Sequence, residues 1–112
     1  MQRGEVLRVD FPKQEGHEQQ GRRPAIVVVA GQITANVGLF ICVPLTSELK
    51  YLKWPFTFQI NQSAQNGLDS PSVALVYQLR STDQIRVLDK WGQLEAHYLE
   101  QLNDTLRKML GL

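Results

Sequence analysis

Between Gly16 and Pro24 the chain sets an imidazole (His17), a carboxylate (Glu18), two amides (Gln19 and Gln20) and two guanidiniums (Arg22 and Arg23) directly ahead of the apolar run Ala25-Ile26-Val27-Val28-Val29-Ala30. These are groups that move protons near neutral pH and hold anions through charged, forked donors. Gly16 and Gly21 permit backbone geometry that other residues resist, and Pro24, lacking an N–H, suits the first position of a strand. The pattern predicts a loop feeding a buried strand, with acid-base and anion-binding groups at the mouth of a rigid element. The plain alternative is a solvated surface loop.

The elements that must position these groups are legible in the periodicity. Residues 5–11 alternate, with Leu7, Val9 and Phe11 apolar around Arg8 and Asp10, which predicts a half-buried strand ended by Pro12. Residues 25–30 and 39–43 are continuous and β-branched, as in central strands covered on both faces; residues 31–38 connect them and Pro44 stops the second. Residues 51–55 read as an aromatic excursion, 56–60 as a strand, 61–71 as a loop and 72–78 as a further strand. Thr82 and Asp83 open a helical turn, and residues 85–88 form a short strand. From Leu94 the period changes to four-residue steps through Tyr98, Leu102, Leu106 and Leu110, flanked by Leu99 and Met109. That stripe predicts a terminal helix with Gly111 as its C-cap. Several short strands and one helix imply a mainly β domain with α: a strongly bent antiparallel sheet covered by the helix, residues 1–112 being a single domain.

Composition narrows the classes. With 43% hydrophobic and 21% charged residues among 112, the chain reads as globular, and disorder is excluded. No apolar run reaches membrane-spanning length, and residues 1–10 lack the apolar centre of a secretory signal, so a cytoplasmic protein with no membrane partner is expected. The lone Cys42 sits in an apolar strand and has no internal disulfide partner. His17 and His97 are far apart and no acidic cluster has ligand spacing, so neither a metal nor another cofactor is expected. A net charge of +1 argues against wholesale coating of nucleic acid and requires any such contact to use a local basic patch.

Four blocks stand in order: Arg3-Gly4-Glu5, then Gly16-His17-Glu18-Gln19-Gln20-Gly21 followed after one residue by Arg23-Pro24, then Val43-Pro44-Leu45-Thr46-Ser47, then Gln78-Leu79-Arg80-Ser81. Together they resemble the MazF/PemK/Kid family of bacterial toxin ribonucleases over nearly the whole chain. The resemblance implies the SH3-like small β-barrel of CcdB/PemK-like proteins with a C-terminal helix, generally as a homodimer. It implies a sequence-selective, metal-independent endoribonuclease acting on single-stranded RNA, particularly mRNA, as the toxin of a type II toxin-antitoxin pair. The expected products are a 2′,3′-cyclic phosphate and a 5′-hydroxyl, and the expected inhibitor is an acidic, partly disordered antitoxin peptide.

Such chemistry needs a base for the 2′-hydroxyl, an acid for the leaving oxygen and donors for the phosphoryl oxygens. Arg23 offers a permanently charged fork, against the plain alternative of a surface arginine paired with Glu18; by position it inherits the family's catalytic arginine. Thr46 is alone a turn threonine, and the resemblance makes its hydroxyl the second catalytic group, with Ser47 beside it. Glu18 serves either as the base or as a brace for Arg23 and the loop amides. His17 can shuttle protons, although relatives differ at this position, and Gln19 is a further candidate RNA contact. Gln78 and Arg80 match a substrate-contact block, and Arg86 adds an electrostatic or structural contribution.

One departure matters. The Kid-like branch places an arginine and an aspartate, proposed as acid and base, where this chain has Leu75 and Tyr77. That assignment does not transfer, which favours a mechanism centred on Arg23 and Thr46 and leaves the base open. Trp54 and Phe56 are candidates for base stacking or for core and dimer contact, while Trp91 and Tyr98 read as packing residues. Two rivals remain: a gyrase-poisoning CcdB-like toxin, although the ending Met109-Leu110-Gly111-Leu112 lacks that group's Trp-Gly-Ile tail, and an inactive relative that only binds RNA or protein.

Overall fold

The computed structural model describes residues 1–13, 16, 20–31 and 36–112. In chain order it contains β1 (Glu5–Phe11), β2 (Gly21–Val29), β3 (Leu39–Thr46), a 3-10 turn (Leu49–Lys53), β4 (Thr57–Ile60) and β5 (Ser72–Leu75). A second 3-10 turn (Val76–Gln78), β6 (Arg80–Asp83), a third turn (Gln84–Arg86), β7 (Val87–Gln93) and the helix α1 (Ala96–Leu110) complete it.

All strand pairs are antiparallel, in the order β4-β5-β3-β2-β1-β7, with β6 also on β3. The strand that shapes the molecule is β3. Its first part runs beside β2 and β6, and its last residues leave them to pair with β5, Leu45 with Ala74 and Thr46 with Val73. One strand shared by two sheets gives the strong bend that the strand pattern implied and the small barrel-like architecture that the family resemblance implied.

The apolar stretches of the central strands, residues 25–28 of β2 and 40–45 of β3, are continuous because both of their faces are covered. Val6, Ile26, Val28, Val43 and Leu45 point to the side carrying Leu94, Leu102 and Leu106. Their sequence neighbours Leu7, Val9, Phe11, Ala25, Val27, Phe40 and Cys42 fill the opposite side. This is the alternation of a pleated strand, read twice. The helical stripe docks through Leu102, fully buried, and Leu106, nearly so, whereas Leu110 stays exposed. Truncating Leu102 to alanine removes a filled core position and costs about 2–5 kcal/mol. Gly111 takes the left-handed conformation, φ 73°, and its N–H reaches the Arg107 carbonyl, as expected of a C-cap.

Four expectations are corrected. Pro24 does not begin its strand: β2 starts at Gly21, and Pro24 lies opposite Arg8. Pairing of β2 with β3 begins only at Ala25, so the missing N–H of Pro24 removes no ladder bond on that edge. Pro44 does not stop β3 either; it pairs with Ala25 at the point where the strand swings toward β5. The strand expected over 72–78 ends at Leu75, because residues 76–78 tighten into a 3-10 turn closed by the Leu79 N–H on the Val76 carbonyl. The helical turn expected at Thr82 and Asp83 is instead the end of β6, and the turn follows at Gln84–Arg86, capped by the Asp83 carboxylate on the Ile85 N–H.

Candidate active site

The antiparallel register of β2 and β3 runs Ala25 to Pro44 and Ile26 to Val43; just beyond it, Arg23 lies opposite Val9 of β1 and Thr46 opposite Val73 of β5. Both side chains line one cavity of about 280 Å³, together with Arg22, Pro24, Leu45 and Ser47 on the same strand ends. Its other wall is made by Asp69, Ser70, Ser72 and Trp91.

Arg23 is half-buried, and its Nε donates to the Gln20 carbonyl at 3.0 Å, which fixes the plane of the fork. Loss of water around the guanidinium pulls its pKa below the usual arginine value, while the nearby negative charge of Glu48 and the Tyr51 phenol oppose that effect. Glu48 does not reach ion-pair distance of Arg23; its carboxylate approaches Lys50 at 3.9 Å, both groups being well exposed. The result is a partly desolvated cation without a contact counterion among the described residues, an arrangement that an incoming phosphate relieves. Thr46 is buried, and its Oγ1 accepts the Glu48 N–H at 3.2 Å. With that bond occupying a lone pair, the hydroxyl proton is directed to whatever acceptor enters the cavity.

The remaining candidates divide. Ser47 shares the cavity with Arg23 and Thr46. Gln78 and Arg80 line a separate depression of about 210 Å³ with Tyr77 and Leu79. Arg86 lines a third, of about 500 Å³, with Lys13, Phe11 and Gly21 among its walls. The Arg80 guanidinium stacks over the Phe11 ring at 4.8 Å, so Arg80 and Arg86 flank one aromatic residue. Arg22 and Arg23 thus line the first depression with Asp69, and Lys13 and Arg86 line the third with Asp10, with Gly21 and Arg22, neighbours on β2, bordering one each. His17, Glu18 and Gln19 lie outside the described residues.

The aromatic expectations change. Trp54 and Phe56 are exposed, but Trp54 lines a different, apolar depression with Pro55 and Tyr77. Trp91 packs on the core under α1 and also lines the Arg23 cavity. Asp69 and Ser70 were missing from the sequence reading, and Trp91 entered it only as a packing residue, because the loop at 61–71 and β7 meet only in the fold. The available signal was Gly67 and Gly92: a Cβ on Gly67 falls 2.1 Å from the Trp91 carbonyl, and one on Gly92 falls 2.3 Å from that of Gln65. Two backbones approach this closely only where neither carries a side chain.

The model of the PemK-like, MazF-like toxins of type II toxin-antitoxin systems matches residues 2–110. The chain is 33% identical over 118 residues to the endoribonuclease MazF9 of Mycobacterium tuberculosis, covering 100% of this chain and 98% of that protein. It is 28% identical over 109 residues to the endoribonuclease toxin MazF of Escherichia coli, covering 96% and 92%. Among solved structures, MazF of Deinococcus radiodurans superposes with a TM-score of 0.81 at 30% identity, over 98% of this chain and 96% of that one. The MazE-MazF complex of the same organism gives 0.73 at 31% identity, over 97% and 94%.

Proposed function

The chain belongs to the PemK-like, MazF-like toxins of type II toxin-antitoxin systems and is an RNA-cleaving enzyme; we propose that it cuts single-stranded RNA, mRNA above all, at selected sequences and without a metal, using Arg23 and Thr46. The observation that carries this reading is the single cavity bordered by both side chains. A scissile phosphate seated there receives the Nη groups of Arg23 on its non-bridging oxygens and the Thr46 hydroxyl on one of them. The ribose 2′-oxygen attacks phosphorus, the P–O5′ bond breaks, and the products are a 2′,3′-cyclic phosphate and a 5′-hydroxyl. The 2′-hydroxyl proton passes to a base, which we assign to Glu18, and the departing 5′-oxygen takes up a proton.

The flanking chain runs past Arg22 toward Arg86 and Lys13, with His17, Gln19, Ser47, Gln78 and Arg80 as further contacts. The antitoxin is an acidic peptide competing for the same cations; a MazE-MazF complex among the structural relatives supports that partner. A homodimer is proposed across the exposed face of Trp54, Phe56 and Tyr77, flanked by Leu49 and Leu52, where water would otherwise cover large apolar side chains. Sedimentation equilibrium giving a monomer at micromolar concentration would refute that part. Among the described residues no helix is long and apolar enough to cross a membrane, and the cytoplasm is where such a substrate is met. The gyrase-poisoning alternative is not favoured: the matched family and the relatives named above are ribonuclease toxins.

The decisive experiment is end-mapping of products from a mixed single-stranded RNA pool in EDTA. Defined cuts bearing 5′-hydroxyl ends are expected. Binding without cleavage would establish the inactive-relative reading instead.

A further inference from the structure

From the far wall of the cleft we infer that Asp69, with Ser70 and Trp91, forms a nucleobase subsite beside the scissile phosphate, and that it selects a base whose Watson–Crick edge donates hydrogen bonds, guanine above the others. This rests on the reading of the cleft as the RNA-cleaving site.

A carboxylate is out of place in a cleft built to take phosphate, since it repels the backbone that Arg22 and Arg23 attract. Asp69 is not spent on neutralising those arginines, for none of the ion pairs among the described residues includes it. Among the described residues its side chain takes one hydrogen bond, from the Ser70 hydroxyl to Oδ1, at 3.2 Å. Oδ2 and the second lone pair of Oδ1 are left to accept from a ligand. In an RNA the donors are the 2′-hydroxyls and the base edges, and only a base edge presents two donors side by side for both oxygens of one carboxylate.

The wall is held firmly enough to discriminate. The buried Asn66 side chain uses both ends: its Oδ1 accepts the N–H groups of Ser63 at 3.1 Å and Leu68 at 3.0 Å, and its Nδ2 donates to the Asn61 carbonyl at 3.0 Å and Glu95 at 3.1 Å. The Gln93 N–H on the Gln65 carbonyl, 2.9 Å, and the close approach at Gly67 and Gly92 tie this loop to β7, which supplies Trp91. An aromatic residue and a fixed acceptor in one wall are what unpaired bases need: a surface to stack on and an edge to pair with.

Guanine presents N1–H and N2–H side by side, matching the two oxygens of a carboxylate. Cytosine and adenine present one amino group beside a ring nitrogen acceptor. Uracil presents one imino group between two carbonyls, both of which repel the carboxylate.

The test is Asp69→Asn, which keeps shape and replaces an acceptor oxygen with a donor. Wild type and variant are given the same randomised single-stranded RNA pool, and the 5′-hydroxyl ends are mapped. The wild type is expected to favour guanine by about ten-fold or more at one position adjacent to the cut and D69N to lose that preference at the cuts it makes, whereas a folded D69N that no longer cuts would put Asp69 in the bond-breaking step and overturn the inference. An unchanged base profile in D69N, with or without a uniformly lower rate, overturns the inference, as does a wild type indifferent to the bases flanking its cut. If neither protein cleaves, the nuclease reading itself falls and this subsite falls with it.

Discussion

Replacing Arg23 with alanine should separate catalysis from folding. The side chain contributes one hydrogen bond to the fold, from Nε to the Gln20 carbonyl at 3.0 Å, and no ion pair among the described residues. Losing such a bond costs about 0.5–1.5 kcal/mol. Part of that is returned, because the guanidinium is partly stripped of water, as the downward pull on its pKa indicates. The net change in stability is therefore under about 1 kcal/mol, a Tm shift of a few degrees at most. Catalysis loses much more. Removing one preorganised donor to a developing anion costs about 10²–10³ in rate, and Arg23 supplies two Nη donors and a full charge, so a fall of at least about 10³ is expected for R23A. R23K keeps the charge without the fork and should fall between the two. Single-turnover cleavage of a fluorogenic oligonucleotide, run beside thermal unfolding by circular dichroism, reads both quantities. A folded R23A protein cleaving within about ten-fold of wild type would show that Arg23 is not the phosphate-binding group.

Thr46→Ser keeps the hydroxyl and should cleave within a few-fold of wild type, while Thr46→Val, which removes one donor, should lose about 10²–10³-fold in kcat. The exposed Glu48 N–H that bonds Thr46 Oγ1 can turn to water, so urea unfolding of T46V should show a loss of no more than about 1 kcal/mol. Gly67→Ala adds a Cβ 2.1 Å from the Trp91 carbonyl at a position with φ 72°, and should cost more than about 2 kcal/mol in urea unfolding; wild-type stability would disprove the tight seat of this loop. Burial pushes the Cys42 thiol from 9.0 up to about 11, against smaller opposing effects of the Thr82 hydroxyl and Arg80. The folded state therefore holds this proton more tightly than the unfolded state. The stabilisation is complete below the unfolded pKa and is lost as pH rises through the folded value, about 1 kcal/mol being gone near pH 10. Unfolding free energies between pH 8 and 10 should fall more steeply in wild type than in Cys42→Ala, and parallel slopes would contradict this.

How much of this was written in the chain depends on whether the relevant neighbours are local. The strand cores and the terminal helix were legible because period two and period four each report a single buried face, and the apolar runs at 25–30 and 39–43 announced two. The boundaries at Pro24 and Pro44 were not, because a proline ends a strand only where its N–H would have been needed. Pro24 stands where β3 is not yet beside β2, and Pro44 where β3 is changing partners. Gln78 and Arg80 were read as substrate contacts from a family block; the 3-10 turn at Val76–Gln78 ends the strand before them at Leu75, and they line a depression separate from that of Arg23.

The cleft itself joins two kinds of construction. Arg23 and Thr46 stand on strand ends just beyond the last β2–β3 pair, Ala25 with Pro44, and line one cavity there. The opposite wall depends on a loop more than 20 residues further along the chain from Thr46 and on β7 beyond it, joined through Asn66, Gly67 and Gly92. A change at Asp69 or Ser70 leaves the strand register untouched, whereas a register slip of one residue would turn Arg23 to the other face of the sheet. The proposed catalytic pair thus stands on strand ends, and the proposed base subsite on a loop fastened to β7 at Gly67 and Gly92.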